Sequence, residues 1–167
     1  DVVTVEGWYA GPLDPSTDPA WTFHPVDWMG SSTLGDQMSA QIEAFDVDGD
    51  GDQDVVTSSP HAYGLWWWEQ VNGPTSPFVE HLIANDVSQT HALVAADIDG
   101  DGDTDIVTGK RWWAHGPSGD PGSQDPAVLL WFELERGPGG VSFKRHVIDA
   151  DASSGVGVQF EVVDVDG

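Results

Sequence analysis

Short runs of hydrophobic residues, separated by polar turns, recur along the whole chain. Where they are clearest, the runs cover residues 91–96, 105–113, 127–134 and 141–148, with clusters of Gly, Pro, Asp and Ser between them. β-Branched and aromatic residues dominate the runs, and none shows a sustained period of about 3.6 residues, so the pattern predicts strands. Four strands in about 50 residues make up one β-propeller blade. We therefore predict an all-β fold of four-stranded antiparallel blades, about three of them in this chain.

Two sequence markers repeat in the same phase and define the units. The first, Asp-[Val/Ile]-Val-Thr, begins at residues 1, 54 and 105, so its spacings are 53 and 51 residues. The second, aromatic-x-x-His-x-[Val/Ile], places its histidine at residues 24, 81 and 146. A histidine that recurs in every unit is expected to serve packing and hydrogen bonding. The markers predict blades at residues 1–45, 46–96 and 97–163, with residues 164–167 beginning a further loop.

Two acidic loops have the chemistry of a calcium site. Residues 46–54 read Asp-Val-Asp-Gly-Asp-Gly-Asp-Gln-Asp, and residues 97–105 read Asp-Ile-Asp-Gly-Asp-Gly-Asp-Thr-Asp. Alternate residues supply oxygen ligands and the glycine at the sixth position permits a sharp turn, whereas magnesium demands a stricter octahedron. The alternative is a solvated acidic turn, because Asp-Gly is a common hairpin element. The predicted ligands are Asp46, Asp48, Asp50, Asp54 and the carbonyl of Asp52; Asp97, Asp99, Asp101, Asp105 and the carbonyl of Asp103; and, in incomplete loops, Asp1, Asp164 and Asp166.

These D-x-D-G-D-G-x-x-D-[Val/Ile]-Val-Thr segments resemble FG-GAP/VCBS repeats, the calcium-loop propeller blades also found in integrin alpha subunits. The resemblance implies a propeller, usually of about seven blades, with calcium in the loop between the first and second strands of a blade. Three blades cannot close a ring. We therefore expect either a fragment of a longer seven-bladed propeller or a unit that further copies of the chain complete. The resemblance also implies a structural, adhesion or ligand-binding scaffold in a secreted or cell-surface protein.

Composition narrows the classes of function. The 167 residues include 29 acidic and 5 basic side chains, a formal charge of −24, and no cysteine. The scarcity of Lys and Arg excludes a nucleic-acid surface. No apolar run approaches the roughly 20 residues of a membrane span, so we expect no membrane insertion. Zero cysteines exclude disulfides, thiol catalysis and a cysteine zinc site. The acidity fits an extracellular calcium binder and fits a halophilic source equally well.

The residues that depart from the repeat are expected together on the face opposite the acidic loops. Up-and-down strands place the start of the first strand and the end of the second there. Such a cluster suits recognition of an anionic or hydroxyl-rich ligand, general acid–base catalysis, or a zinc ion held by three histidines. Ordinary polar loop residues are the alternative, and the turn-rich insertion at residues 116–126 reads as a lid or a long loop. The candidate residues are His61, Tyr63, His91, Lys110, Arg111 and His115.

The third unit carries a second resemblance. Residues 108–116, Thr-Gly-Lys-Arg-Trp-Trp-Ala-His-Gly, and residues 130–134, Leu-Trp-Phe-Glu-Leu, are similar to propellers of the aldos-2-ulose dehydratase type. This likeness implies sugar dehydration or elimination at the propeller mouth, with His61, His91 and His115 as candidate catalytic residues. A carbon–oxygen lyase, either a sugar dehydratase or a polysaccharide lyase, is therefore the alternative to a scaffold. Carbohydrate or another surface protein is the expected partner in either case.

Overall fold

Every regular element in the described part of the chain is a β-strand. The computed structural model describes residues 1–28, 41–73, 76–112, 115–150 and 155–166. Within those ranges no helix is long and apolar enough to cross a membrane. The strands are β1 Val2–Thr4, β2 Gly7–Ala10, β3 Thr22–Pro25, β4 Ile42–Phe45, β5 Asp54–Ser58, β6 Tyr63–Gln70, β7 Phe78–Ser88, β8 Leu93–Ala96, β9 Asp105–Lys110, β10 Val128–Gly137 and β11 Gly140–Asp149.

The strands form three antiparallel sheets, and within each sheet every strand pairs with its neighbour in sequence. The first sheet is β1-β2-β3, the second is β4-β5-β6-β7 and the third is β8-β9-β10-β11. This up-and-down order confirms the predicted all-β class and is consistent with propeller blades. The first sheet has three strands within the described residues, and residues 29–40 lie outside those residues.

The sheets begin one strand earlier than the sequence units. The units were counted from the acidic loops, at residues 46 and 97, whereas the second sheet begins at Ile42 and the third at Leu93. Each acidic loop therefore joins the first and second strands of a single sheet. β4 pairs with β5 in register Ile42↔Thr57, and β8 pairs with β9 in register Leu93↔Thr108.

One strand ends earlier than its hydrophobic run predicts. The run at residues 105–113 is a strand only to Lys110, and Arg111 and Trp112 leave the sheet. The Lys110 side chain is buried, and its ammonium donates hydrogen bonds to the carbonyls of Arg111 and Asp125 at 3.2 and 2.7 Å. These contacts turn the chain away from the sheet into the long β9–β10 connection, residues 111–127.

The largest core lies between the second and third sheets. Leu65 and Trp67 from β6 join Leu93, Ile106 and Phe132 from the third sheet in one buried cluster. Burial of each such side chain contributes about 1.5–3 kcal/mol to the free energy of unfolding. The sheets are thereby held face to face, as adjacent blades require.

Strand β6 serves two cores because successive side chains point to opposite faces of a sheet. Leu65 and Trp67 face the third sheet, whereas Trp66 and Trp68 face the first sheet, where they pack with Trp28. All three tryptophans of the Trp66-Trp67-Trp68 run are buried. The run that looks continuously hydrophobic in the sequence is therefore an interior strand with two buried faces.

The histidines that recur in every unit stack on tryptophans of the neighbouring strand. The ring centroids lie 4.2 Å apart in all three pairs, Trp8–His24, Trp67–His81 and Trp131–His146. Nε2 of His81 lies 2.7 Å from the Glu69 carboxylate, and Nε2 of His146 lies 2.6 Å from Glu133. The expected packing role is confirmed for all three histidines, and the expected hydrogen bonding is seen at His81 and His146.

Candidate functional site

The first acidic loop (residues 46–54) is folded around the side chain of Asp46. Its Oδ1 accepts a hydrogen bond from the Gly49 amide at 2.7 Å, and its Oδ2 accepts one from the Gly51 amide at 3.1 Å. Both glycines have positive φ, 83° and 98°, a conformation that side chains disfavour. The second acidic loop (residues 97–105) repeats both bonds from Asp97, at 2.8 and 3.1 Å.

Three carboxylates converge in each loop. One oxygen from each of Asp46, Asp48 and Asp50 lies within 4.8 Å of the others, and Asp97, Asp99 and Asp101 form the same arrangement. Removal from water raises the pKa of Asp48 above its usual value, and the charges of the nearby carboxylates add to this effect. The pKa of Asp99 is raised for the same reasons. Three carboxylate oxygens this close together suit a hard divalent cation.

The ninth residue of each loop fastens the loop to its sheet. Asp54 is 1% exposed, and its two carboxylate oxygens accept hydrogen bonds from the Val47 amide at 3.1 Å and the Gln70 amide at 2.7 Å. Asp105 is equally buried and makes the matching bonds to the amides of residues 98 and 134, at 3.0 and 2.9 Å. The ninth residue thereby ties its loop to the third strand of the same sheet.

The other predicted loop ligands lie outside these carboxylate groups. Asp1 Oδ1 accepts a hydrogen bond from the Gly11 amide at 2.8 Å, next to the end of β2, as Asp54 does at the end of β6. Asp164 Oδ1 accepts one from the Asp166 amide at 3.2 Å. Among the described residues, the carboxylates of the following side chains join neither group of three: Asp1, Asp52, Asp54, Asp103, Asp105, Asp164 and Asp166.

Arg136 connects the two acidic loops, a contact that the sequence analysis missed. Its Nε and Nη2 donate hydrogen bonds to the carbonyls of Val47 and Asp46, both at 2.8 Å. Its Nη1 donates to the carboxylate of Asp103 in the second loop. Arg136 lies at the end of β10, so a residue of the third sheet holds a loop of the second. The feature of the sequence that could have pointed to Arg136 is the rarity of basic residues, since the chain has 5 basic side chains and 29 acidic ones.

Three histidines meet at the opposite edge of the sheets. His61 lies in the turn between β5 and β6, His91 lies just before β8, and His115 lies in the β9–β10 connection. The His61 ring centroid is 5.1 Å from that of His91 and 4.7 Å from that of His115. The structure thus brings together three side chains that the repeat does not require.

Asp120 lies between two of these histidines. Its Oδ2 is 2.9 Å from His115 Nδ1 and its Oδ1 is 3.5 Å from His61 Nδ1, while its side chain is only 8% exposed. One ligand atom from each of the three residues lies within 4.8 Å of the others. The sequence analysis missed Asp120. It lies in the insertion at residues 116–126, whose fold the repeat does not specify.

His91 is bonded differently. Its Nε2 lies 2.7 Å from Nη2 of Arg111, which donates a hydrogen bond to it. Burial, reinforced by the charge of Arg111, lowers the pKa of His91 to about 4. The imidazole is therefore neutral near pH 7 and accepts this bond. The group of potential metal ligands at this edge consists of two histidines and an aspartate, in place of the three histidines considered from the sequence.

Tyr63 and Lys110 support the insertion. The Tyr63 hydroxyl donates a hydrogen bond to Asp125 Oδ2 at 3.4 Å, and the Lys110 ammonium donates to the Asp125 carbonyl at 2.7 Å. Burial raises the pKa of Tyr63, with the Asp125 charge adding to the effect, and burial lowers the pKa of Lys110. Both predicted catalytic side chains thus contact the insertion that carries Asp120.

Comparison with known proteins identifies the repeat. Residues 46–108 match the family model described as FG-GAP-like repeat. The match begins at the first acidic loop, includes the second and ends within β9, so it supports the resemblance drawn from the sequence motifs. No curated protein and no solved structure matches the chain. Calcium binding and sugar chemistry remain predictions.

Proposed function

We propose that this chain is a calcium-stabilised β-propeller module that serves as a structural, adhesion or ligand-binding scaffold in a secreted or cell-surface protein. The FG-GAP-like repeat and the antiparallel sheets are those of a propeller-type module. One observation supports the calcium assignment above all others. Two acidic loops, 51 residues apart in sequence, fold with the same hydrogen bonds and each gather three carboxylates within 4.8 Å.

The chemistry of the loops favours calcium over other cations. Their converging side chains offer only oxygen, and hard cations prefer oxygen ligands. Three neighbouring carboxylates repel one another, so a bound cation lowers the free energy of the folded loop. Since each loop joins the first two strands of a sheet, metal occupancy is coupled to the stability of that sheet. The partners that fit this role are further blades, from its own protein or from other copies of the chain, and carbohydrate or another surface protein as ligand.

Metal content tests the proposal directly. The protein is dialysed against millimolar calcium, freed of unbound ion by gel filtration and analysed by mass spectrometry. We expect near two calcium ions per chain, one for each group of three carboxylates. Asp99→Asn should lose one of them. Glu80→Gln, which removes the same charge from an exposed position on β7, should lose none. A wild-type protein without bound calcium would refute the assignment.

A carbon–oxygen lyase is the second candidate function, and one observation favours it. His91 is neutral near pH 7 and lies beside His61 and Arg111, and its imidazole acts as a general base once its Nε2 is released from the Arg111 hydrogen bond. The test incubates the protein with acidic polysaccharides and measures the unsaturated product by its ultraviolet absorbance. A lyase loses turnover in His91→Ala, whereas a scaffold shows no turnover with either protein.

A further inference from the structure

We propose that His61, His115 and Asp120 form a binding site for one divalent transition-metal ion of the zinc class, at the edge of the sheets opposite the acidic loops. The site combines the β5–β6 turn of the second sheet with the insertion of the third. It therefore differs from the acidic loops in position and in ligand chemistry. The proposal does not depend on calcium binding by those loops.

The distances between the ligand atoms suit such an ion. Zinc binds imidazole nitrogen and carboxylate oxygen at about 2.0–2.2 Å, so two ligands of a tetrahedral ion lie roughly 3.3 Å apart. His115 Nδ1 is 2.9 Å from one Asp120 oxygen, and His61 Nδ1 is 3.5 Å from the other. These two separations run to different oxygens of Asp120, and one ligand atom from each of the three residues lies within 4.8 Å of the others, close to the spread that one ion requires.

One atom of the cluster points independently to a ligand. His61 Nδ1 is buried and has no hydrogen bond within the described part of the chain. Its 3.5 Å separation from Asp120 is too long for a good hydrogen bond. A buried polar atom without a partner lowers the free energy of unfolding. A metal ion between His61 and Asp120 provides this nitrogen with a partner.

The ligand set also selects the class of metal. Imidazole nitrogen suits zinc, cobalt, nickel and copper, whereas calcium takes oxygen ligands. His91 is not part of the set because its Nε2 accepts a hydrogen bond from Arg111 at 2.7 Å. Three protein ligands leave one tetrahedral position for water or another ligand, as in catalytic zinc sites.

Cobalt is the probe for the experiment, because bound Co²⁺ has visible absorption bands that report its ligands. The full chain is titrated with Co²⁺ in millimolar calcium, which keeps the acidic loops occupied. We expect one Co²⁺ per chain with the bands of mixed nitrogen and oxygen ligation. His115→Ala and Asp120→Asn should each weaken binding at least about tenfold, since even residues that only support a ligand change affinity by that amount.

Three controls keep the result interpretable. His24→Gln removes a histidine of the first sheet and His91→Gln one beside the site, and neither should change the affinity more than about twofold, well short of the loss expected from a true ligand. His115 is more than half exposed, so its alanine variant should unfold at the temperature of the wild type when no cobalt is present.

Failure of the wild type to develop the bands overturns the proposal. Unchanged binding by the His61→Ala/His115→Ala double variant also overturns it, because the cobalt then lies at the acidic loops only.

Discussion

The two edges of the second and third sheets differ in how closely they follow the repeat. At the acidic-loop edge six side-chain-to-backbone hydrogen bonds recur in both loops, the largest differences in length being 3.0 against 3.2 Å and 2.7 against 2.9 Å. At the opposite edge the connections diverge. Residues 59–62 join the second and third strands of the second sheet, whereas residues 111–127 do so in the third. The repeated edge is common to the second and third sheets, whereas the divergent edge holds the cluster of His61, His115 and Asp120.

Of the changes predicted below, removal of the metal should have the largest effect on the free energy of unfolding. A site held at a hundred times its dissociation constant stabilises the folded state by about 2.7 kcal/mol, so two sites contribute about 5 kcal/mol. We expect EDTA to lower the midpoint of urea unfolding sharply and calcium to restore it. Magnesium at the same concentration should restore less. An unchanged midpoint in EDTA would mean that the acidic loops are held by their hydrogen bonds alone.

Asp105→Ala should have the next largest effect. The substitution leaves the partly buried amide of Ile98 and the buried amide of Leu134 without their acceptor, at up to about 1–3 kcal/mol each. We expect the free energy of unfolding to fall by about 2–4 kcal/mol, measured by urea unfolding in EDTA so that metal binding does not contribute. Glu80→Ala, at an exposed position, is the control and should change it by less than about 0.5 kcal/mol. If Asp105→Ala and Glu80→Ala lower the free energy of unfolding equally, the ninth loop residue does not have the structural role assigned to it.

Arg136→Gln should have an intermediate effect, and it tests whether the two loops act as one unit. The substitution removes bonds to the carbonyls of Asp46 and Val47 and to the Asp103 carboxylate. Because the side chain is 29% exposed, we expect a loss of only about 1–2 kcal/mol in the free energy of unfolding.

Arg145→Gln is the matched control for Arg136, since Arg145 forms an ion pair with the exposed Asp86. Such a pair contributes no more than about 1 kcal/mol. Hydrogen exchange should show faster opening of the first acidic loop in the Arg136 variant alone. If the loop exchanges at the wild-type rate, Arg136 does not link the sheets.

The repeated part of this molecule was predictable from the sequence, and the divergent part was not. Alternating hydrophobic residues and recurring Asp-Gly loops are local signals, so they identified the strands and the acidic loops. Arg136 contacts Asp46 across 90 residues and between two sheets, a relation that no local period reports. Asp120 was missed because the conformation of the insertion depends on buried contacts such as that of Lys110 with Asp125. The histidine edge was found only in part, because its residues stand out as departures from the repeat.

The smallest expected effect is the difference in stability between substitutions of two of the repeated histidines. His81 stacks on Trp67 and binds Glu69, whereas His24 stacks on Trp8 and has Ala10 where the second sheet has Glu69. His81→Gln should therefore reduce the free energy of unfolding by about 0.5–1.5 kcal/mol more than His24→Gln, the contribution of one hydrogen bond. Urea unfolding of both variants, with Glu69→Gln as a third, measures the difference. If His24→Gln costs as much as His81→Gln, the stack alone supplies the stability, and the glutamate that accompanies it in the second and third sheets adds nothing.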